Sequence, residues 1–310
     1  MTATARPPVP VDRPLLGILL MLGFCTIVPF ADALAKLLGT VLPLAQIILV
    51  RFAIQALLLT PLALWTGRAL FPSRRVVRLT ALRALLLMAG VTLMFSALRY
   101  LPLADAVAIA FVMPFIMLLL GWRVLGEEVG ARRLAACAVG FLGTLMVVQP
   151  SFAEVGWPAL LPLGVAVVFA LFMLVTRQVA READPVALQA ATALMALPAL
   201  VPLVFLPAAG ALPLVGWIAP DGRTLALLGA MGLLGSLAHL LMTWSLRFAP
   251  SATLAPMQYL EIPIATLVGF LIFGDLPDGL AAAGIVVTIA AGLYIVARER
   301  ALARAAPPAA

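Results

Sequence analysis

Ten apolar runs, each about 20 residues long and set apart by short polar or proline-rich breaks, decide the solvent in which this chain folds. Backbone in hydrocarbon cannot leave an N–H or C=O unpaired, so runs of that length are helices. Barrel strands would show about 10 residues of alternating character, and no such alternation is present. Composition agrees: 65% of the 310 residues are hydrophobic and 11% charged, against roughly 25% charged in a soluble protein. The runs are expected as helices at 15–38, 44–66, 79–98, 102–122, 133–149, 157–178, 186–206, 224–246, 251–273 and 279–297. The first is too long for a signal-peptide core of about 7–15 residues and is read as a retained helix. Cys25 and Cys137 lie in apolar runs without ligand spacing, which fits packing; no metal site and no cofactor is expected.

Basic residues set the orientation. With the N-terminus inside, fifteen Arg residues fall in inside segments, while Lys36, Arg99 and Arg223 fall outside and Arg51 and Arg83 within helices. The positive-inside rule then puts both termini in the cytoplasm. The net charge of +7 resides mostly in those short loops and tails and calls for a bilayer, not a nucleic acid.

The chain also repeats itself. "SALRYLPLADAVAIAFVMPFIMLLLGWRVLGE" (96–127) matches "WSLRFAPSATLAPMQYLEIPIATLVGFLIFGD" (244–275): Arg99 with Arg247, Pro102 with Pro250, Gly126 with Gly274 and Glu127 with Asp275, all at an offset of 148, and Pro114 with Pro263 to within one residue. The expected organisation is a tail (1–14), a first repeat (15–150), a second repeat (157–297) and a tail (298–310). Five helices per repeat is an odd number, so the second enters the membrane from the other side. The fold class is therefore all-α integral membrane, ten transmembrane helices in two inverted five-helix repeats. Inverted repeats are a signature of secondary transporters, whose sites lie near the midplane between the halves.

Ten helices in two halves, each with a Pro about twelve residues before a Gly-[Glu/Asp] end and a Gly/Ala-rich fifth helix, resemble the drug/metabolite transporter superfamily and its EamA-type members. "DALAK" in the first helix and "LPLADAVAIAFVMPF" in the fourth resemble the branch that includes RibN-type riboflavin transporters and S-adenosylmethionine uptake transporters. The resemblance implies a carrier for a vitamin, an amino acid or amine, or a nucleoside-like solute in the inner membrane, as a monomer or homodimer. One departure stands out: many such proteins carry Glu-Pro in the ninth helix, whereas Ile262 separates Glu261 from Pro263 here.

Polar residues that occur in one half alone break the symmetry and are the better candidates for ligand chemistry. Arg99, Arg247, Glu127 and Asp275 recur at helix ends and read as scaffold; Lys36 has a rough counterpart in Arg177 and reads as an interfacial anchor. Asp32 aligns with Met173, Arg51 with Ala193 and Glu261 with Met113. A charge at such depth costs several kcal/mol unless it is paired or wetted. The i, i+4 pair of Asp32 with Lys36 is worth only about 0.2–0.5 kcal/mol in water. Asp32 therefore needs Arg51 as a structural partner, or the mouth of a polar cavity where it meets substrate. His239, the single histidine, is either a packed neutral imidazole or a proton carrier. Gln258, Tyr259 and Glu261 are expected near the middle of the ninth helix, where Glu261 serves as proton carrier, as partner to a cationic substrate group, or as a fixed ion pair. Phe111 and Phe115 would provide a stacking wall or ordinary packing.

With no G-x-x-x-x-G-K-[ST] loop, ATP is not the chain's own energy source, and with one histidine and no H-E-x-x-H the chain does not read as an enzyme. The expected function is secondary active transport of a small organic metabolite by alternating access; a channel or a membrane-embedded enzyme are the alternatives.

Overall fold

The computed structural model describes residues 13–113, 115–116, 119–120, 123, 131–207, 213–249 and 254–305. Pro114, Gly126, Glu127 and Pro250 of the repeat motif lie outside them. Among the described residues ten α-helices follow one another: α1 (Pro14–Leu38), α2 (Leu44–Trp65), α3 (Arg74–Ala97), α4 (Leu103–Ala110), α5 (Ala131–Val155), α6 (Leu161–Ala180), α7 (Pro185–Leu200), α8 (Gly222–Phe248), α9 (Glu261–Phe273) and α10 (Gly279–Ala305). Seven helices in these residues are long and apolar enough to cross a membrane, and Met257–Phe273 and Gly279–Tyr294 are shorter apolar ones.

Several boundaries depart from expectation, and two of the departures have local reasons. Helix α3 starts at Arg74 rather than 79, because Ser73 caps it: its hydroxyl accepts from the Val76 N–H at 3.2 Å. Residues 251–273 were expected as one helix, but 3₁₀ turns at Ala255–Leu260 precede α9. Pro263 has no N–H to give the Tyr259 carbonyl, so the α-helical ladder cannot run through this point. Gln258 and Tyr259 thus lie on the 3₁₀ turns and Glu261 opens α9, a correction to their expected place in mid-helix.

The repeat reaches further back than the quoted motif. Asp221 caps α8 by accepting from the Thr224 N–H at 2.7 Å, as Ser73 caps α3, and 221 − 73 gives the same 148. Helix packing follows the order of the two halves. Helices α2 with α7, α4 with α9 and α5 with α10 pair the second, fourth and fifth members of each half, while α1 on α8 is mirrored by α6 on α3. The interface between halves is therefore self-complementary, as in a two-fold dimer.

Small residues let these helices close. A Cβ on Gly284 of α10 would stand 2.5 Å from the Gly143 carbonyl of α5, and one on Gly17 of α1 would stand 2.6 Å from Ala249 Cβ just past α8. The Ser245 hydroxyl donates to the Gly17 carbonyl at 2.7 Å and seals the same crossing. Not every glycine of these helices is crowded: Gly232 lies against Ile54 and Gly140 against the Phe115 ring, but a Cβ on Gly229 would meet nothing within 4 Å.

Ion pairs sit at the two ends of the bundle. At one end Arg68 meets Asp184 at 2.8 Å and Arg75 meets Glu182 at 3.0 Å; at the other Lys36 meets Asp275 at 2.9 Å and lies 4.5 Å from the Phe273 ring centre. Lys36 thus takes its partner from the other half of the chain and not from Asp32 one turn away. The end bearing Arg68 and Arg75 is called the basic face below.

Candidate functional site

Between the halves lies a cavity of about 100 Å³, smaller than the roughly 300–1,000 Å³ usual for small-molecule sites. Asp32 (α1), Arg51 (α2), Phe111 (just after α4), His239 (α8), Gln258 (the 3₁₀ turns) and Glu261 (α9) all line it. Phe115 and Tyr259, expected beside them, do not. The Phe115 ring covers Gly140, and the Tyr259 ring packs on Gly292, where an added Cβ would come within 2.1 Å of it. Tyr259 still touches the site from behind. Its ring centre is 5.4 Å from that of Phe111, and because 259 − 111 is again 148 the two rings are equivalents meeting across the repeat axis.

The chain breaks its helices at this place in both halves. Helix α4 ends at Ala110, with turns at Phe111 and Val112, and the 3₁₀ segment precedes α9. Interrupted helices expose backbone groups to a cavity that an unbroken helix would keep to itself.

Charge is the cavity's second property. Asp32 and Arg51 are 8% and 3% exposed, yet among the described residues no salt bridge joins them. The expected direct Asp32–Arg51 pair is not formed; the two groups share a cavity and attract through it. Arg51 lies along α8, and a Cβ on Gly235 would stand 3.1 Å from its Nε. Among the described residues its Nη1 has no hydrogen-bond partner, and the same holds for Gln258 Oε1 and His239 Nδ1. The Gln258 amide nitrogen faces the sulfurs of Met21 at 3.7 Å and Met173 at 3.3 Å, which are weak acceptors.

Among the described residues the imidazole of His239 finds no backbone carbonyl to hydrogen-bond, which the packed-neutral reading expected. It stands edge-on to Phe24, Phe169 and Phe172, with ring centres 5.9, 6.2 and 6.0 Å away. Phe24, Phe95 and Phe169 join Phe111 in lining the cavity. These three went unremarked in the sequence, since phenylalanine in an apolar run carries no sign of which face it takes.

Arg83 was also missed. It is fully buried, its Nε donates to Thr176 at 2.9 Å and its Nη2 to Thr243 at 3.1 Å, its Nη1 donates to Thr192, and its guanidinium lies 4.8 Å from the Phe172 ring centre. The signal that reveals it is the repeat register: 83 + 148 is 231, and Met231, also fully buried, occupies the equivalent position.

Comparison with known proteins places the chain. A family model described as the EamA-like transporter family matches residues 15–149 and 156–297. A riboflavin transporter of Rhizobium johnstonii is 33% identical over 240 residues, covering 77% of this chain and 74% of its own. An S-adenosylmethionine uptake transporter of Rickettsia prowazekii is 27% identical over 270 residues, covering 87% and 88%. A pseudopaline exporter of Pseudomonas aeruginosa is 28% identical over 275 residues, covering 88% and 90%. One crystal structure superposes with a TM-score of 0.64 at 19% identity, covering 92% of this chain and 98% of its own, a likeness of fold. The chain belongs to the EamA-like transporter family: it is a multi-pass membrane transporter of small metabolites in the ten-helix fold, and not an enzyme.

Proposed function

We propose that the chain is a secondary carrier of the inner membrane, with its basic face and both termini in the cytoplasm, and that it works by alternating access around the cavity between the repeats. The supporting observation is a pair of opposite buried charges, Asp32 and Arg51, that line one cavity from the first half without pairing, opposite Glu261, His239 and Gln258 from the second. Buried charges are retained where something answers them. A solute with an amino-acid head answers both, its carboxylate on Arg51 and its ammonium on Asp32. A flat nitrogen ring then lies against Phe24, Phe95, Phe111 and Phe169, with N–H donors for Gln258 Oε1. Among the substrates for which the relatives are named, S-adenosylmethionine has this head and ring, whereas riboflavin carries no charge to offer Asp32 or Arg51. Glu261 remains free to carry a proton or a further cationic group.

The test is thermal stability of the purified protein with four probes, since a ligand that binds the folded state raises apparent stability. S-adenosylmethionine and S-adenosylhomocysteine should stabilise it more than methylthioadenosine, which keeps the ring and lacks the amino-acid head. Equal or greater stabilisation by riboflavin would contradict the charged-head reading. For orientation, a cysteine at Ser73, in a protein lacking Cys25 and Cys137, should react with an impermeant reagent from the cytoplasmic side; reaction from the other side would invert it.

A further inference from the structure

The Arg83 cage lies on the continuation of the cavity, and three helices show it. On α3 the lining residues Gly90 and Met94 are followed toward the basic face by Leu87 and then Arg83. On α6 the row from Val165 and Phe169 runs through Phe172 to Thr176, and on α8 from Gly235 through His239 to Thr243. Spacings of three, four and seven residues keep each row on one helix face, and seven residues from Gly90 to Arg83 descend about 10 Å. Leu87, Phe172 and His239 separate the cavity from the cage.

Inside the cage the acceptors are three threonine hydroxyls, from α6, α7 and α8, and among the described residues no carboxylate pairs with Arg83. A guanidinium makes its strongest contacts with an anion, and hydroxyls leave its charge unanswered. Packing does not require the charge, since buried Met231 fills the equivalent place in the other half. Nor is Arg83 needed to join the halves here, because Gln55, Gln189 and Thr243 already form a bridge across α2, α7 and α8, with Gln55 Nε2 donating to Gln189 Oε1 at 3.0 Å and Gln189 Nε2 to Thr243 at 2.8 Å.

We propose that Arg83 is a second binding station for the carboxylate of the solute, reached from the cytoplasmic side when Leu87, Phe172 and His239 part, so that the anionic group passes from Arg51 in one state to Arg83 in the other. This rests on the carrier reading above. In the closed state the threonines hold the guanidinium in place of the anion, each a neutral acceptor that a carboxylate displaces.

The test uses full-length protein in oriented proteoliposomes and a matched pair of competitors, S-adenosylmethionine and its decarboxylated analogue, each added to one side. The unaltered protein should prefer the carboxylated solute from both sides. In Arg83→Gln the preference should fall about tenfold from the cytoplasmic side and stay unchanged from the outside. Arg83→Lys should keep part of it. A purely structural arginine would reduce transport of both competitors alike with the preference intact, and that result overturns the proposal. Should Arg83→Gln fail to fold, Leu87→Cys in a protein lacking Cys25 and Cys137 answers the same question. Cytoplasmic reagents should reach it during turnover, with protection by the carboxylated solute alone; equal protection by both competitors, or no labelling, overturns it. Absence of saturable exchange with either solute in the unaltered protein would remove the carrier reading for this substrate class, and this proposal with it.

Discussion

Asp32 and Arg51 answer why an apolar run carries charge at all. Their separation matters as much as their burial, because a closed ion pair would stiffen the bundle and leave nothing for a ligand. Without direct contact, Asp32→Asn and Arg51→Gln should couple in their effect on stability by less than about 1 kcal/mol, through the attraction across the cavity alone. Each alone should weaken S-adenosylhomocysteine binding by about tenfold, the worth of one charge-assisted hydrogen bond. Melting curves of the two single variants and the double, with and without ligand, check both statements. Recovery of stability in the double variant would identify a structural pair instead. Asp32 and Arg51 were legible in the sequence because each lacks a counterpart in the other repeat. Arg83 was equally asymmetric, but it shows only once the offset of 148 is extended from the loop motif back to the caps at Ser73 and Asp221.

At the scale of elements, the apolar runs located the helices but not all of their ends, and misjudged where they break: the expected 102–122 helix is interrupted by turns at Phe111 and Val112. The expected ninth helix ran unbroken through Gln258, Tyr259 and Glu261, whereas 3₁₀ turns occupy Ala255–Leu260. Hydropathy is blind to this: Pro263 and its neighbours are as apolar as a continuous helix requires, and the missing N–H is a backbone matter. Close crossings were foreseeable in kind but not in partner. A glycine such as Gly143 suits a helix crossing, and the structure supplies Gly284, its carbonyl 2.8 Å from where a Gly143 Cβ would stand. Gly284→Ala should therefore push α5 from α10 and destabilise the protein by about 1–3 kcal/mol, because the obstacle is backbone that cannot step aside. Gly229→Ala, with nothing within 4 Å, should be neutral or stabilise by up to about 1 kcal/mol through helix propensity. Thermal melting of the two variants side by side distinguishes a crowded crossing from a general intolerance of change in glycine.

Across the whole molecule the inverted repeat does two jobs. It builds the scaffold from corresponding helices of the two halves, α2 on α7, α4 on α9 and α5 on α10, and on the proposed carrier reading exchange of the halves would relate two arrangements of nearly the same packing. Such a pair of states is what alternation needs, since packing that opens at one face has an equivalent that closes at the other. Lys36 with Asp275 and the Gly17 crossing with Ser245 and Ala249 stand at opposite faces, where opening must occur. The proposed substrate contacts, by contrast, are residues the repeat does not share, which is why fold and family were plain in the chain while the solute was not. The measurement that bears most directly on this account is counterflow in proteoliposomes preloaded with unlabelled S-adenosylmethionine. Entry of the labelled solute should be faster than into empty vesicles, and at solute concentrations below saturation Arg51→Gln should lower the acceleration about tenfold. Entry that is the same with and without preload, as through a channel, or acceleration that survives Arg51→Gln in full, would contradict it.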